Sequence, residues 1–102
     1  MADSQAIICS KSSANTPAIS SSATALSANS ARAGWMIQNV GTNPLFVLLG
    51  SGASTTVFHR ILKGGSADSD GLGADMGQME GTVYSGVITI AGTSPKYVVT
   101  EL

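Results

Sequence analysis

His59 is the only histidine of this chain and Cys9 is its only cysteine, so acid–base or nucleophilic chemistry has few side chains to use. A Ser/His/Asp arrangement would have to include His59, and no G-x-S-x-G motif is present to expose a serine at a sharp turn. On a strand, His59 would share the apolar face of Val57 and Ile61. A lone histidine on such a face is more often a packed or interface residue than a base. We therefore expect that the chain is not an enzyme and that His59 contacts a partner subunit.

Acidic residues concentrated in one stretch raise the question of a metal site: Asp68, Asp70, Asp75 and Glu80. If Asp68 takes position 1 of a calcium-binding loop, Leu72 falls at position 5 and Met79 at position 12. Those positions need an oxygen ligand and a bidentate glutamate. The stretch therefore predicts a solvated acidic loop and no metal.

The glycines of the same stretch do not form a phosphate-binding loop. The segment Gly71–Met76 has Met76 where a dinucleotide fingerprint needs its third Gly or Ala, and no G-x-x-x-x-G-K-[ST] sequence occurs. Acidic neighbours would also repel a phosphate. We expect no cofactor.

Aromatic residues are few, and each lies in an apolar segment that predicts a strand: Trp35, Phe46, Phe58, Tyr84 and Tyr97. Such residues could form a stacking platform for sugars or nucleic acid bases. The aliphatic residues beside them favour packing in the core instead. Trp35 is the one that we also consider as a contact with a partner.

Charge is unusually scarce in this chain. The 102 residues are 43% hydrophobic but only 11% charged, with a net charge of −1, whereas soluble domains are usually about 25% charged. This composition lacks the basic patch of a nucleic-acid binder. Low charge protects a monomer poorly against association, so we expect much of the surface to meet another protein. The alternative is a small neutral domain that uses Ser and Thr for its polar face.

The length and the apolar runs limit the architecture to one soluble domain. About 100–200 residues make one domain, and the longest apolar run, Pro44–Leu49, is far below the roughly 18 residues of a membrane span. The first residues lack the basic region of a secretory signal. We expect a protein that is made in a cytoplasm and does not enter a membrane.

Short apolar segments separated by Gly, Ser, Thr and Asn predict an all-β fold. We predict 7–8 short strands in a compact antiparallel β-sandwich that resembles a jelly roll. The predicted strands are residues 5–10, up to two weak strands within 12–33, then 35–40, 45–49, 55–62, 81–84, 87–91 and 96–101. The Gly41–Pro44 turn is expected to join two of them as a hairpin, with 45–49 central or covered. Residues 64–77 are expected to form a long mobile loop.

The N-terminal segment has two interpretations. Residues 1–17 could be an extended arm whose Ile7 and Ile8 add a strand to the exposed sheet edge of a neighbour. They could equally contain the first strand of the chain's own sandwich. The rest of that sandwich domain would be residues 18–102. In the first case Ile7 and Ile8 are partner contacts.

The segment Arg32–Val47 resembles a pattern in small structural proteins of tailed bacteriophages. In that pattern an Arg is followed by an apolar strand that ends in Gln/Arg-Asn, then by Gly-Thr-Asn and a second apolar strand. Lys63-Gly64-Gly65 resembles the turn after the central strand of that family. Residues 84–88 and 98–102 resemble its closing strands. The resemblance covers roughly residues 30–102.

The resemblance implies a β-sandwich virion protein. Similar proteins decorate capsids as trimeric cement subunits, and others are associated with the head or tail. The expected function is therefore a trimeric capsid cement or decoration subunit that contacts itself and the major capsid protein or another virion protein. The alternative is a carbohydrate- or host-surface-binding module on a tail or fibre, which predicts an exposed Trp35 or Tyr84. The expected location is the virion.

Overall fold

The strongest predicted strand alternates between a buried and an exposed face. In the computed structural model, which describes residues 11–13, 22–79 and 82–102, this strand runs over Gly34–Asn39. Trp35 and Ile37 are buried and Met36 is exposed. The two-residue period of the side chains, which a strand with one buried face requires, is therefore confirmed.

The described residues form eight short strands and no helix, and every strand pair is antiparallel. The predicted class, an antiparallel β-sandwich of short strands, is confirmed. The strands are β1 (Lys11–Ser13), β2 (Ala23–Leu26), β3 (Gly34–Asn39), β4 (Leu45–Leu49), β5 (Arg60–Leu62), β6 (Asp75–Met79), β7 (Ile88–Gly92) and β8 (Tyr97–Glu101).

The strand order is that of a jelly roll. The first sheet has the order β1-β8-β3-β6 and the second has the order β2-β7-β4-β5. Successive strands lie in opposite sheets, except that β4 and β5 pair with each other in the second sheet. Eight strands wound in this way between two sheets define the jelly-roll type of sandwich.

The core lies between the two sheets and is made of inward-facing aliphatic and aromatic side chains. Burial of this apolar surface is the main favourable contribution to folding. Residues from the first sheet meet residues from the second: Trp35, Ile37, Tyr97 and Val99 pack with Leu26, Leu45, Val47, Leu62, Ile88 and Ile90.

The prediction of a hairpin across Gly41–Pro44 was wrong. The segment carries the chain from β3 in the first sheet to β4 in the second. β4 pairs instead with β5 and β7 and is central in its sheet, as its apolar residues indicated. Turn residues show that the chain changes direction, but they do not show which sheet it enters next.

The prediction of a loop over 64–77 was wrong in its last residues. β6 begins at Asp75 and pairs with β3, where Gly77 lies opposite Met36. A Cβ at Gly77 would collide with the carbonyl oxygen of Trp35, so the close approach of the two strands requires glycine. On the inward face of β6, Gln78 follows Met76 and lies opposite the buried Trp35, and this polar residue removed the apolar alternation that predicts a strand.

Two further strand boundaries differ from the predictions, and two predictions lie outside the described residues. Only Arg60–Leu62 of the predicted strand 55–62 is a strand, and residues 82–84 of the predicted strand 81–84 are not part of one. The predicted strand 5–10 and the domain boundary at residue 17 lie outside the described residues.

Candidate interaction surface

An apolar surface lies on the outside of the second sheet, at the edge formed by β5. Its residues, here called the Phe58 surface, are Phe46, Val57, Phe58 and Ile61. The rings of Phe46 and Phe58 meet edge to face with centroids 5.1 Å apart. The exposed fractions are 51% for Val57, 36% for Phe58 and 48% for Ile61. Exposed apolar groups gathered in this way are typical of contact sites.

The strands explain why these side chains point outward. Along β4, Leu45 and Val47 face the core, so Phe46 between them must face the opposite side. Phe46 lies opposite Ile61 on β5, and the next residue, Leu62, is buried. β5 is an edge strand of only three residues. The second sheet therefore ends in a short edge beside an apolar outer face.

His59 lies at the rim of the Phe58 surface, beside β4. Its backbone N–H donates to the Val47 carbonyl over 2.8 Å, and its Nδ1 accepts the Leu49 N–H over 3.0 Å. The side chain is exposed, and no hydrogen bond to a carboxylate is recorded for it among the described residues. The structure does not place His59 in a Ser/His/Asp arrangement within that part of the chain.

The other three predicted contact residues do not join His59. Trp35 is only 1% exposed, and its Nε1–H donates to Gln78 Oε1 over 2.9 Å. The indole is therefore a core group of this chain and presents no surface to a partner. Ile7 and Ile8 lie outside the described residues.

The remaining aromatic residues divide between the core and the surface. Tyr97 is buried. Tyr84 is half-buried, and its hydroxyl donates to the Val87 carbonyl over 3.0 Å. The expectation that all five aromatic residues pack in the core is therefore only partly met, because the Phe58 side chain is exposed.

A shallow hollow of about 100 Å³ lies on the outer face of the first sheet. Met36 and Gln38 of β3 line it together with Val98 and Thr100 of β8. Asp75 supplies a carboxylate at its β6 side. The lining mixes apolar and polar groups and contains no aromatic ring that could stack on a sugar.

The acidic stretch is a loop that one carboxylate organises. Asp70 accepts hydrogen bonds from the backbone N–H groups of Leu72, Ala67 and Ser66 over 2.8–2.9 Å. These donors, Leu72 first, hold the pKa of the Asp70 carboxyl below its ordinary value. Among the described residues, no group of three or more His, Cys, Asp or Glu side chains could hold a metal ion. The groups around the Asp70 carboxylate are N–H donors, whereas a bound cation would need further oxygen ligands there.

A buried cation, which the sequence reasoning did not single out, joins three segments at the opposite end of the sandwich. The Arg32 guanidinium is fully buried, and its Nε donates to Glu101 Oε2 over 2.8 Å. Its terminal nitrogens donate to the carbonyls of Tyr84, Gly86 and Ser27 over 2.7–3.0 Å. Four of its five N–H groups therefore donate to acceptors in three separate segments of the sequence. The pattern over Arg32–Val47 marks this arginine in the sequence but assigns it no role.

Comparisons with known proteins found no match for this chain. No family model matches it, and no significant match was found among curated proteins or solved structures. The fold and the surface geometry must therefore support any functional proposal. In the described part of the chain, no helix has the length and hydropathy needed to cross a membrane.

Proposed function

We propose that the chain is a structural protein of a tailed-phage virion, a trimeric cement or decoration subunit that stabilises the head by protein–protein contacts. The Phe58 surface carries the proposal, because it exposes three large apolar side chains beside an edge strand. Jelly rolls are common in viral capsid proteins and lectins, although a fold alone does not define a function. The resemblance of residues 30–102 to phage structural proteins selects the virion role.

We assign the Phe58 surface to contacts between copies of this chain. Its ring pair and Ile61 form a small apolar centre of the kind that dominates the energy of many interfaces. The formal net charge of −1 means that two copies repel each other only weakly. Three copies that engage one lattice point together would bind more strongly than a single copy, since the later contacts become intramolecular.

No observation favours the carbohydrate-binding alternative. That function predicts an exposed Trp35 or Tyr84, yet Trp35 is a core residue and the Tyr84 ring is half-buried with its hydroxyl bonded to the backbone. The hollow near Met36 contains no aromatic platform.

Particle reconstitution tests the proposed function. Virions made without this chain are mixed with the purified chain, the bound amount is measured, and the particles are imaged by electron microscopy. We expect threefold-arranged density on the head surface and an increase in the temperature at which the heads release DNA. Absence of binding to heads would overturn the proposal, as would density confined to the tail or fibres.

A further inference from the structure

We infer that His59 is a pH-sensitive latch that holds the start of β5 and Phe58 against β4. This inference concerns the fold of the single chain and does not depend on the proposed function. It rests on the two hydrogen bonds of His59 to β4 and on the side chains around them.

The imidazole continues a ladder where the backbone pairing stops. β4 and β5 pair as Leu45 with Leu62, Phe46 with Ile61 and Val47 with Arg60. Beyond Arg60 the last backbone bond to β4 is the one from the His59 N–H to the Val47 carbonyl over 2.8 Å, and the Leu49 N–H donates over 3.0 Å to the Nδ1 of His59 instead of to a carbonyl. The side chain therefore takes the place of one strand residue.

This bond requires a neutral ring. Nδ1 can accept the Leu49 N–H only when it carries no proton, so the proton of the neutral imidazole lies on Nε2. Protonation of Nδ1 replaces the acceptor with a second donor. The Leu49 N–H and the Nδ1–H would then point toward each other, and the bond would be lost.

Among the described residues, the elements beside His59 supply no carboxylate that could accept a hydrogen bond from the protonated ring. Neither β4, β7 nor the segment 50–58 contains an ionisable side chain, and the charged residues nearest in sequence on the β5 side are Arg60 and Lys63. Both are cations, so neither side chain can accept a hydrogen bond from a protonated Nδ1. Histidine is the side chain that ordinarily gains its proton between pH 8 and pH 5.

Loss of the Leu49–His59 hydrogen bond would affect the Phe58 surface and leave residues 53–57 in place. The connection before Phe58 has its own attachments, because the Ala53 N–H donates to Thr89 Oγ1 over 3.2 Å and Ser54 and Val57 exchange backbone hydrogen bonds over 2.9 and 3.3 Å. Among the described residues, no backbone group of Phe58 makes such a bond, and the nearest backbone attachment is that of His59 N–H to the Val47 carbonyl. Its ring contact with Phe46 is therefore the contact most exposed to the loss of the His59 bond.

Hydrogen exchange at the Leu49 amide, measured by NMR from pH 8 to pH 5 and corrected for the intrinsic rate, tests the latch. In the wild-type chain, protection of Leu49 should fall at least tenfold as the ring signals of His59 report its protonation. In His59→Asn, whose Oδ1 can accept at every pH, protection should stay constant. In His59→Phe, which has no acceptor, it should be low throughout.

The Gly65 amide, which donates to the Gly41 carbonyl over 2.9 Å at the other end of the sandwich, is the internal control and should not change. Constant protection of Leu49 in the wild-type chain would overturn the inference. The same pH dependence in His59→Asn would also overturn it. Both results are measured on the isolated chain, so they can be distinguished from a failure of the chain to bind virions.

Discussion

Arg32 and Asp70 each join several backbone groups through side-chain hydrogen bonds, at opposite ends of the sandwich. Arg32 is a buried cation, whereas Asp70 is an exposed anion. Arg32 donates to three backbone carbonyls and one carboxylate, while Asp70 accepts from three backbone N–H groups. Arg32 lies before β3 and is fully buried, whereas Asp70 lies in the exposed loop after β5. The number of hydrogen bonds is similar, so burial must decide how much each residue contributes to stability.

The difference in burial between Arg32 and Asp70 indicates where the chain can tolerate substitution. Loss of a buried charge leaves its partners without water to replace it, which is costly. Loss of an exposed charge leaves its partners in contact with solvent. The Arg32 end should therefore maintain the fold, and the Asp70 end should only maintain the shape of its loop.

Arg32→Met should have the largest effect. The change removes the countercharge of the buried Glu101 carboxylate and the donors of three carbonyls, so we expect the free energy of unfolding to fall by about 3–5 kcal/mol. Urea denaturation at pH 7 measures the loss. The matched control is Lys96→Met, which breaks the exposed pair with Asp68 and should cost at most about 1 kcal/mol.

Glu101→Gln keeps the measurement informative if Arg32→Met does not fold. It retains the bonds of Arg32 to the three carbonyls and removes only the countercharge, so its loss of stability should be intermediate. A loss in both variants no greater than that of Lys96→Met would contradict the role assigned to the buried pair.

Asp70→Asn should have a much smaller effect on unfolding, with a distinct pH signature. Because the pKa of Asp70 is lowered in the fold, its contribution to stability is present above the ordinary range of an aspartate and is lost as the pH falls through the folded value. The variant should lack this part of the acid-side decline. Urea denaturation at pH 7 and at acid pH, together with exchange of the Ser66 and Ala67 amides, measures both effects.

Asp75→Asn is the control for that prediction, since it removes an exposed carboxylate that makes no hydrogen bond within the described part of the chain. It should leave the acid-side decline and the two amides unchanged. The comparison between the two ends would fail if Asp70→Asn were as destabilising as Arg32→Met.

The sequence predicted those parts of the fold that depend on local alternation. The buried Trp35 and Ile37, the central position of β4 and the eight-stranded class all follow from apolar periodicity and turn composition. The hairpin at Gly41–Pro44 failed because the identity of the receiving sheet is a long-range property. The strand β6 was missed because Gln78, which faces inward and accepts the Trp35 indole N–H, interrupts the apolar pattern.

The candidate site was predictable only in part. The spacing predicted that His59 shares a strand face with Val57 and Ile61, but the strand begins only at Arg60, and the bond from Leu49 depends on where the β4–β5 ladder ends. The exposure of Phe58 could not be predicted, since an aromatic residue in an apolar segment is ordinarily buried. The role of Arg32 depends on contacts with residues up to 69 positions away in the sequence.

Sedimentation velocity at micromolar concentration tests most directly the claim that copies of this chain associate through the Phe58 surface. The wild-type chain should sediment as a trimer and the double variant Phe58→Ser/Ile61→Ser as a folded monomer. Leu72→Ser, which removes a side chain that is 68% exposed but lies on the Asp70 loop, should remain a trimer. A monomeric wild-type chain, or a trimer that persists in the double variant, would contradict the claim.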